Sequence, residues 1–244
     1  MTVVDHALVL LLFVVQPVYG AFAYRRFVAK IEAGRPANRA ALYRYTMLLE
    51  WALLVLLLAV WLLDARPLSA LGIVVPGGSG FAAGAVLLAA TVAWLVHAWR
   101  RATRADDASC AAVVDALGDL RHLMPRDLAT YRWFVGLSIT AGIVEEIVYR
   151  GFVFWYLAQW MPMWAVVVVS ALAFGLGHSY QGAAGIVRIT LVGVVFGAYY
   201  LLTGSIWLPI VAHALLDILQ GATLFAYLRG PRRPGERGTE AALP

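Results

Sequence analysis

The sequence predicts an all-α protein, a polytopic membrane helix bundle with about seven transmembrane helices. Of the 244 residues, 62% are hydrophobic and only 14% are charged, and the apolar residues form long runs separated by short Arg-rich blocks. Soluble domains contain about 45–50% apolar and about 25% charged residues. A soluble fold this apolar could not cover its surface with polar groups. We therefore expect the lipid bilayer to be the solvent for most of the chain.

Seven apolar segments are long enough, or nearly so, to cross a hydrocarbon core of about 30 Å, which needs roughly 20 helical residues. They cover residues 7–24, 46–63, 81–99, 133–157, 163–177, 185–203 and 206–228. The fifth segment is the shortest. No Lys or Arg precedes the first segment, and Arg25 and Arg26 follow it directly. This order favours a retained helix over a cleaved signal peptide.

Basic residues are concentrated in alternate loops. The first loop holds Arg25, Arg26, Lys30, Arg35, Arg39 and Arg44, the third Arg100, Arg101, Arg104, Arg121, Arg126 and Arg132, and the tail Arg229, Arg232, Arg233 and Arg237. The positive-inside rule then places the amino terminus outside and the carboxy terminus in the cytoplasm, in a cytoplasmic (inner) membrane. Short Arg blocks between apolar runs are topology signals, so no nucleic-acid partner is expected despite the net charge of +5.

The segments divide the chain into four regions. Residues 1–99 form a three-helix front region, 100–132 a cytoplasmic loop, 133–228 a four-helix core, and 229–244 a tail predicted to be disordered because it is rich in Pro, Gly, Arg and Glu. In the loop, Val113, Val114, Leu117 and Leu120 recur at helical spacing, which predicts a short amphipathic helix on the membrane surface. The single cysteine, Cys110, excludes an internal disulfide.

The fourth segment contains ionisable residues about halfway along an apolar span: Glu145, Glu146 and Arg150. At about 100° per residue, Arg150 projects within roughly 40° of Glu146 but about 140° from Glu145. Glu146 and Arg150 therefore form the favourable Glu-before-Arg pair and neutralise one another. Glu145 is left without an intrahelical partner, which makes it a candidate general base.

Two later segments carry histidines. The fifth ends with Phe174 and His178 on one face, and the seventh places His213 and Asp217 on one face. A His with a carboxylate four residues on suits a metal ligand with its orienting partner, and it also suits a His held in one tautomer for proton transfer.

The front segments contain two ionisable residues, Glu50 and His97. On the segment bounds above, each lies within about a turn of a cytoplasmic end, where interfacial anchoring explains it. Arg188 is interpreted as an anchor for the same reason.

Together these residues resemble a known family. Glu-Glu-x-x-x-Arg, Phe-x-x-x-His and His-x-x-x-Asn/Asp, in this order, are the motifs of the CAAX protease and bacteriocin-processing (CPBP, or Abi) intramembrane proteases, which include the eukaryotic Ras-converting CAAX endopeptidase. The resemblance covers residues 133–221, and the first three helices carry no family signature.

The resemblance implies hydrolysis of a peptide bond in a membrane-associated or hydrophobic substrate. Glu145 would activate water. Glu146 and Arg150 would stabilise the helix and set the local electric field. His178 and His213 would bind metal or polarise the reaction, with Phe174 packed behind His178. At the last position of the third motif this sequence has Asp217, where many members of the family have Asn. An ionised Asp cannot donate to an oxyanion, so Asp217 is expected to orient His213 or to bind metal.

Two mechanisms are compatible with these motifs. In one, His178, His213 and a carboxylate, with Glu145 the first choice, hold Zn²⁺ or another divalent metal, which lowers the pKa of bound water to about 7. In the other, Glu145 and His178 activate water directly. Two other functions compete with proteolysis: a non-catalytic scaffold or bacteriocin-immunity-type protein that binds a partner through its polar core, and a proton-coupled transporter. Against the transporter, the two halves show no inverted repeat.

Convergence of these residues sets a geometric condition. On the segment bounds above, Glu145 lies about 18 Å from the cytoplasmic end of its helix, His178 lies near that end, and His213 lies about 10 Å from the opposite end. The seventh helix must therefore begin inside the bundle or the helices must tilt. Pro209, soon after Gly204 and Ser205, is suited to the first turn of a helix that begins at depth.

Overall fold

The computed structural model describes residues 1–230, which form eight main helices and no strand. In chain order these helices are α1 Val3–Glu32, α2 Arg39–Leu63, α3 Gly78–Ala102, α4 Asp107–Leu117, α5 128–157, α6 Met163–Gly177, α7 Gly182–Thr203 and α8 Trp207–Arg229. The all-α helix bundle predicted from the sequence is confirmed. Residues 231–244, most of the predicted disordered tail, lie outside the described part of the chain.

Every predicted apolar segment lies in one helix, apart from Ile206, which is in the turn before α8. Within residues 1–230, five helices are long and apolar enough to cross a membrane: α1, α2, α3, α7 and α8. Helix α6 is apolar but has only 15 residues. Helix α5 carries the charged residues of the fourth segment and contains a π-helical stretch at Ile147–Val153.

Several helices begin before the predicted segments because polar residues cap them. The Asn38 side chain accepts a hydrogen bond from Ala41 N at 3.0 Å and starts α2. Asp127 accepts from Thr130 N at 2.8 Å and starts α5. The hydrogen bonds from Thr130 hold the pKa of the Asp127 carboxyl below its usual value. Hydropathy detects only the apolar part of such a helix, so it misses these polar first turns.

The loop between α3 and α5 contains the predicted amphipathic helix. Helix α4 begins after Asp106, whose side chain accepts from Ser109 N at 2.8 Å. Cys110 is buried on this helix. The loop is also tied to α2, because the Tyr43 hydroxyl donates to the Leu123 carbonyl and Arg39 Nε donates to the His122 carbonyl at 2.8 Å.

Helix α8 begins inside the protein. Ser205 and Ile206, in the turn before it, are both fully buried. Ile206 N donates to the Gly72 carbonyl at 2.9 Å, and Ser205 Oγ donates to the Val74 carbonyl at 3.1 Å. Non-helical backbone at membrane depth needs such cover from neighbouring protein. The chain between α2 and α3 supplies it, so His213 lies within the bundle although it follows the start of α8 closely.

Helices α5 and α8 approach closely at Gly142. A Cβ at this position would lie 3.0 Å from the Ile210 carbonyl oxygen, from Ala214 N and from Ala214 Cβ. Small residues at helix interfaces in membranes permit such backbone approach. Gly142 therefore sets the distance between the helix that carries Glu145 and the helix that carries His213.

Replacing Gly142 with Ala is expected to lower the free energy of unfolding by about 1–3 kcal/mol, because two backbone atoms cannot yield without separating α5 from α8. Thermal unfolding in detergent measures the change. Gly136→Ala on the same helix is the matched control, since a Cβ there meets only Met47 Sδ at 3.6 Å. The control should be neutral or stabilising through helix propensity. Equal stability of both variants would contradict the close approach.

Candidate active site

Helix α5 carries a buried ion pair at the centre of the bundle. Arg150 Nη1 donates to Glu146 Oε1 at 2.7 Å, and Arg150 Nη2 donates to the Gly193 carbonyl on α7 at 3.0 Å. Glu146 is 0% and Arg150 is 1% exposed. The guanidinium also lies 4.7 Å from the Phe174 ring centroid, within cation–π range. The Glu146–Arg150 pair predicted from the four-residue spacing is therefore present, and it links α5 to α7.

The π-helical stretch of α5 begins directly after Glu146 and includes Arg150. Such π-helical turns inside α-helices are frequent at functional sites. Ser170 Oγ on α6 donates to the Tyr149 carbonyl at 3.4 Å. Hydroxyl side chains of neighbouring helices satisfy backbone groups in this way inside a membrane.

His213 on α8 contacts the same ion pair. Its Nδ1 lies 2.8 Å from Glu146 Oε1. Because an ionised carboxylate only accepts, Nδ1 is the donor, and Nε2 faces away from Glu146. The Phe196 ring stacks on the imidazole with centroids 5.0 Å apart. The Phe174 ring meets it edge-on with centroids 5.9 Å apart, so one hydrogen bond and two ring contacts fix the side chain.

The residue that orients His213 differs from the expectation. The sequence pattern favoured Asp217 as the orienting partner, yet the Nδ1 hydrogen bond goes to Glu146. Asp217 Oδ2 lies on the other side of the ring, 3.6 Å from Nε2. The physical reason is that the close approach of α5 and α8 brings Glu146 to Nδ1. The i,i+4 spacing within α8 brings Asp217 Oδ2 to 3.6 Å from Nε2 and not to Nδ1.

Glu145 lies on the Nε2 side of His213. Its Oε2 is 3.9 Å from His213 Nε2, and the Glu145 side chain is 15% exposed. Within residues 1–230, this buried Oε2 has no hydrogen-bond partner. At a polar separation beyond 3.5 Å, a water molecule can bridge the two groups. Glu145 Oε2 and Asp217 Oδ2 both lie within 4 Å of His213 Nε2, the ring nitrogen that Glu146 does not engage.

His178 terminates α6 beside this group. Its Nδ1 lies 2.9 Å from the Phe174 carbonyl, and the Phe174 ring packs against it at 4.9 Å between centroids. A carbonyl only accepts, so Nδ1 carries the hydrogen and Nε2 is left as an acceptor. His178 also interacts electrostatically with Asp217. The structure therefore brings together all the residues of the three motifs.

The interpretation of Glu50 as an interfacial anchor is wrong. Its Oε2 is buried and has no hydrogen-bond partner in the described part of the chain, and its carboxylate interacts electrostatically with Glu145, His213 and Asp217. Helix α2 begins at Arg39, so Glu50 lies about 16 Å from its start rather than at its first turn. The N-capping residue Asn38 was the sequence signal that could have shown this. His97 and Arg188 are exposed.

Tyr180, another residue that the motifs did not identify, follows His178. Its ring lies 5.9 Å from the His178 ring and 5.3 Å from that of Tyr24 on α1. Tyr180 interacts electrostatically with Glu145, Asp217 and Glu50. An aromatic residue in a short connection carries no distinguishing pattern, so only the structure places it at the site.

The side chains do not form a ready metal site. Among residues 1–230, no group of three or more His, Cys, Asp or Glu side chains is arranged to hold a metal ion. The predicted ligands His178, His213 and Glu145 lie in one region, and the hydrogen bond between His213 Nδ1 and Glu146 leaves Nε2 as the ring nitrogen that a metal could take.

Two cavities adjoin the site. The larger, of about 660 Å³, is apolar, and its lining includes Leu88, Val192, Val195, Phe196, Ala212 and Leu216 from α3, α7 and α8. Phe196 is the residue that stacks on His213. The smaller, of about 350 Å³, is lined by polar residues such as Tyr24, Asp119, Tyr180 and Gln181. Arg188 lines both cavities. Each cavity thus includes one residue that contacts a site histidine: Phe196 stacks on His213, and the Tyr180 ring lies 5.9 Å from that of His178.

Comparison with known proteins identifies one family. Residues 127–219 match the family model described as type II CAAX prenyl endopeptidase Rce1-like. This range contains Glu145, Glu146 and Arg150 with the two later motifs. Comparisons with curated proteins and with solved structures find no match.

Proposed function

Because residues 127–219 match the family model of type II CAAX prenyl endopeptidases, Rce1-like, we propose that the chain is an intramembrane endopeptidase. It would hydrolyse a peptide bond in a membrane-associated or hydrophobic peptide. The observation that carries this proposal is the Glu145 carboxylate, whose Oε2 lies 3.9 Å from His213 Nε2. A carboxylate with an oxygen free of protein donors, beside an oriented imidazole, is an arrangement that suits general acid–base hydrolysis.

In the proposed reaction, Glu145 accepts a proton from water while the water oxygen attacks the carbonyl carbon. The tetrahedral intermediate collapses when the C–N bond breaks, and Glu145 transfers the proton to the leaving nitrogen. His213 presents Nε2 to the reacting groups, and its protonated form donates to the developing oxyanion. Glu146 holds the imidazole through Nδ1. His178, with Nδ1–H on a carbonyl, offers Nε2 as a second acceptor.

The apolar cavity supports a substrate with an apolar segment. It lies between α3, α7 and α8 and reaches Phe196, which contacts His213. Van der Waals packing there would hold the apolar segment, because lipid tails and the cavity are equally apolar and the hydrophobic effect does not favour either. We propose a multi-pass location in the cytoplasmic membrane, with the amino terminus outside, from the alternation of basic loops.

Metal dependence stays a prediction. If Zn²⁺ or another divalent metal binds, His178, His213 and Glu145 are the residues that would hold it, and the metal would supply a bound water of lowered pKa. No step proposed above runs through it. Metal analysis of the purified protein, with activity measured after chelation, tests this prediction.

The experiment that tests the function compares peptide termini in membranes. Membranes from cells with the wild-type chain and with Glu145→Gln are analysed by terminal proteomics. We expect a set of new termini in membrane-associated proteins that is present with the wild type and lost with the variant. Identical termini at equal protein levels would refute proteolysis, and a partner-binding scaffold would then be favoured.

A further inference from the structure

Helix α2 of the front region is packed in register with the catalytic helix α5. Trp51 Nε1 donates to Thr140 Oγ1 at 3.2 Å, and Met47 lies beside Gly136. Leu54 and Leu57, further along α2, are 3% and 1% exposed in the core cluster that includes Val144. Positions on the two helices advance together, so α2 and α5 run parallel. Glu50 directly precedes Trp51 on α2, and its carboxylate interacts electrostatically with Glu145, His213 and Asp217.

The Glu50 carboxylate is not held by a structural partner. Its buried Oε2 has no hydrogen-bond partner within residues 1–230. Arg150, the buried cation of α5, is engaged with Glu146 and with the Gly193 carbonyl. An ionisable residue inside a span is costly and marks function unless it is paired. Glu50 is therefore poorly explained as helix–helix glue.

Glu50 and Glu145 share one deficiency. Each has a buried Oε2 without a donor in the described chain, and the two carboxylates interact electrostatically. When both are ionised they are acceptors only, so they cannot satisfy each other. Water has two donors and can give one hydrogen bond to each.

We propose that Glu50 is a water-positioning residue that holds the attacking water together with Glu145. This inference rests on the proposed function. With both hydrogens directed at the two carboxylates, the lone pairs of the water oxygen face the substrate carbonyl. Glu145 then accepts the proton, and Glu50 accepts a hydrogen bond throughout. The front region thereby supplies part of the reaction chemistry, although it lies outside the family match.

The test uses the full-length protein purified in detergent and a synthetic peptide that spans a terminus lost in the Glu145→Gln membranes. Glu50→Leu removes the acceptor at similar size and is expected to lower kcat by ~10²-fold through misplaced water, with KM within about twofold of wild type. Glu50→Gln keeps an amide oxygen as acceptor and should retain an intermediate kcat. Glu32→Gln, an exposed carboxylate at the end of α1, is the matched control and should match the wild type.

Several outcomes would overturn the inference. Wild-type kcat in Glu50→Leu would do so, as would a raised KM with unchanged kcat, which indicates substrate binding instead. Thermal unfolding of each variant reports folding. If Glu50→Leu gives no folded protein, Glu50→Asp decides, because it withdraws the carboxylate by one methylene. A lowered kcat then supports the inference and a wild-type kcat refutes it. Failure of the proposed function is distinct, because wild type and Glu145→Gln would then show the same termini.

Discussion

Glu145→Gln is expected to lower kcat for peptide hydrolysis by about 10²–10⁴-fold, the range that a general base contributes. Glutamine has nearly the same size and shape but cannot take a proton from water. The fold should persist, because the buried Oε2 of Glu145 has no hydrogen-bond partner in the described chain and the side chain is 15% exposed. Steady-state kinetics of the purified variant on a peptide identified from the membranes measures the loss.

Two variants make this result specific. Glu32→Gln carries the same chemical change on an exposed residue and should leave kcat unchanged. Asp217→Asn, which keeps the shape of a side chain 3.6 Å from His213 Nε2, should retain more activity than Glu145→Gln because Asp217 is not assigned a proton. An equal loss of kcat in Asp217→Asn and Glu145→Gln would show that the two carboxylates share the role of general base.

Arg150→Met is expected to lower the free energy of unfolding by about 3–5 kcal/mol, the cost of breaking a buried ion pair by removing one partner. The substitution leaves Glu146, which is 0% exposed, as a buried charge with the His213 hydrogen bond but without its arginine. It also removes the hydrogen bond to the Gly193 carbonyl, which links α5 to α7. Thermal unfolding in detergent and the yield of folded protein measure the effect.

The matched control for this prediction is Arg104→Met, which removes an exposed arginine from the cytoplasmic loop. A surface change of this kind is expected to stay within about 0.5 kcal/mol. The double variant Glu146→Gln/Arg150→Met removes both charges and should regain part of the stability. Its activity should stay low, because the Nδ1 hydrogen bond that orients His213 is weakened. Equal stability of Arg150→Met and Arg104→Met would show that the ion pair is not a core contact.

Much of the fold could be predicted because lipid imposes a simple rule. Every spanning helix must be apolar over most of its length, so each of the seven segments lies in a helix of the structure. Helix starts were less accurate where Asn38 and Asp127 cap polar first turns. A hydropathy pattern does not respond to those turns. Because the predicted segment began at residue 46 and α2 begins at Arg39, the prediction placed Glu50 at the membrane interface.

The candidate site was predicted as a set of residues rather than as a geometry. Ionisable side chains are so unfavourable inside a span that Glu145, Glu146, Arg150 and the later histidines stood out on that ground alone. The pairing of Glu146 with Arg150 followed from spacing within one helix. The partner of His213 Nδ1 could not be predicted from spacing, because Glu146 lies on another helix.

The sequence by itself determined membrane residence, the order of the helices and the pair at Glu146 and Arg150, since these depend on hydropathy and on the 3.6-residue period. Tertiary structure alone decided that Glu146 orients His213 and that Glu50 joins the site. Both depend on distances between helices. The close approach at Gly142 sets one, and the parallel register of α2 and α5 at Trp51 and Thr140 sets the other. No periodicity within a single helix encodes either distance.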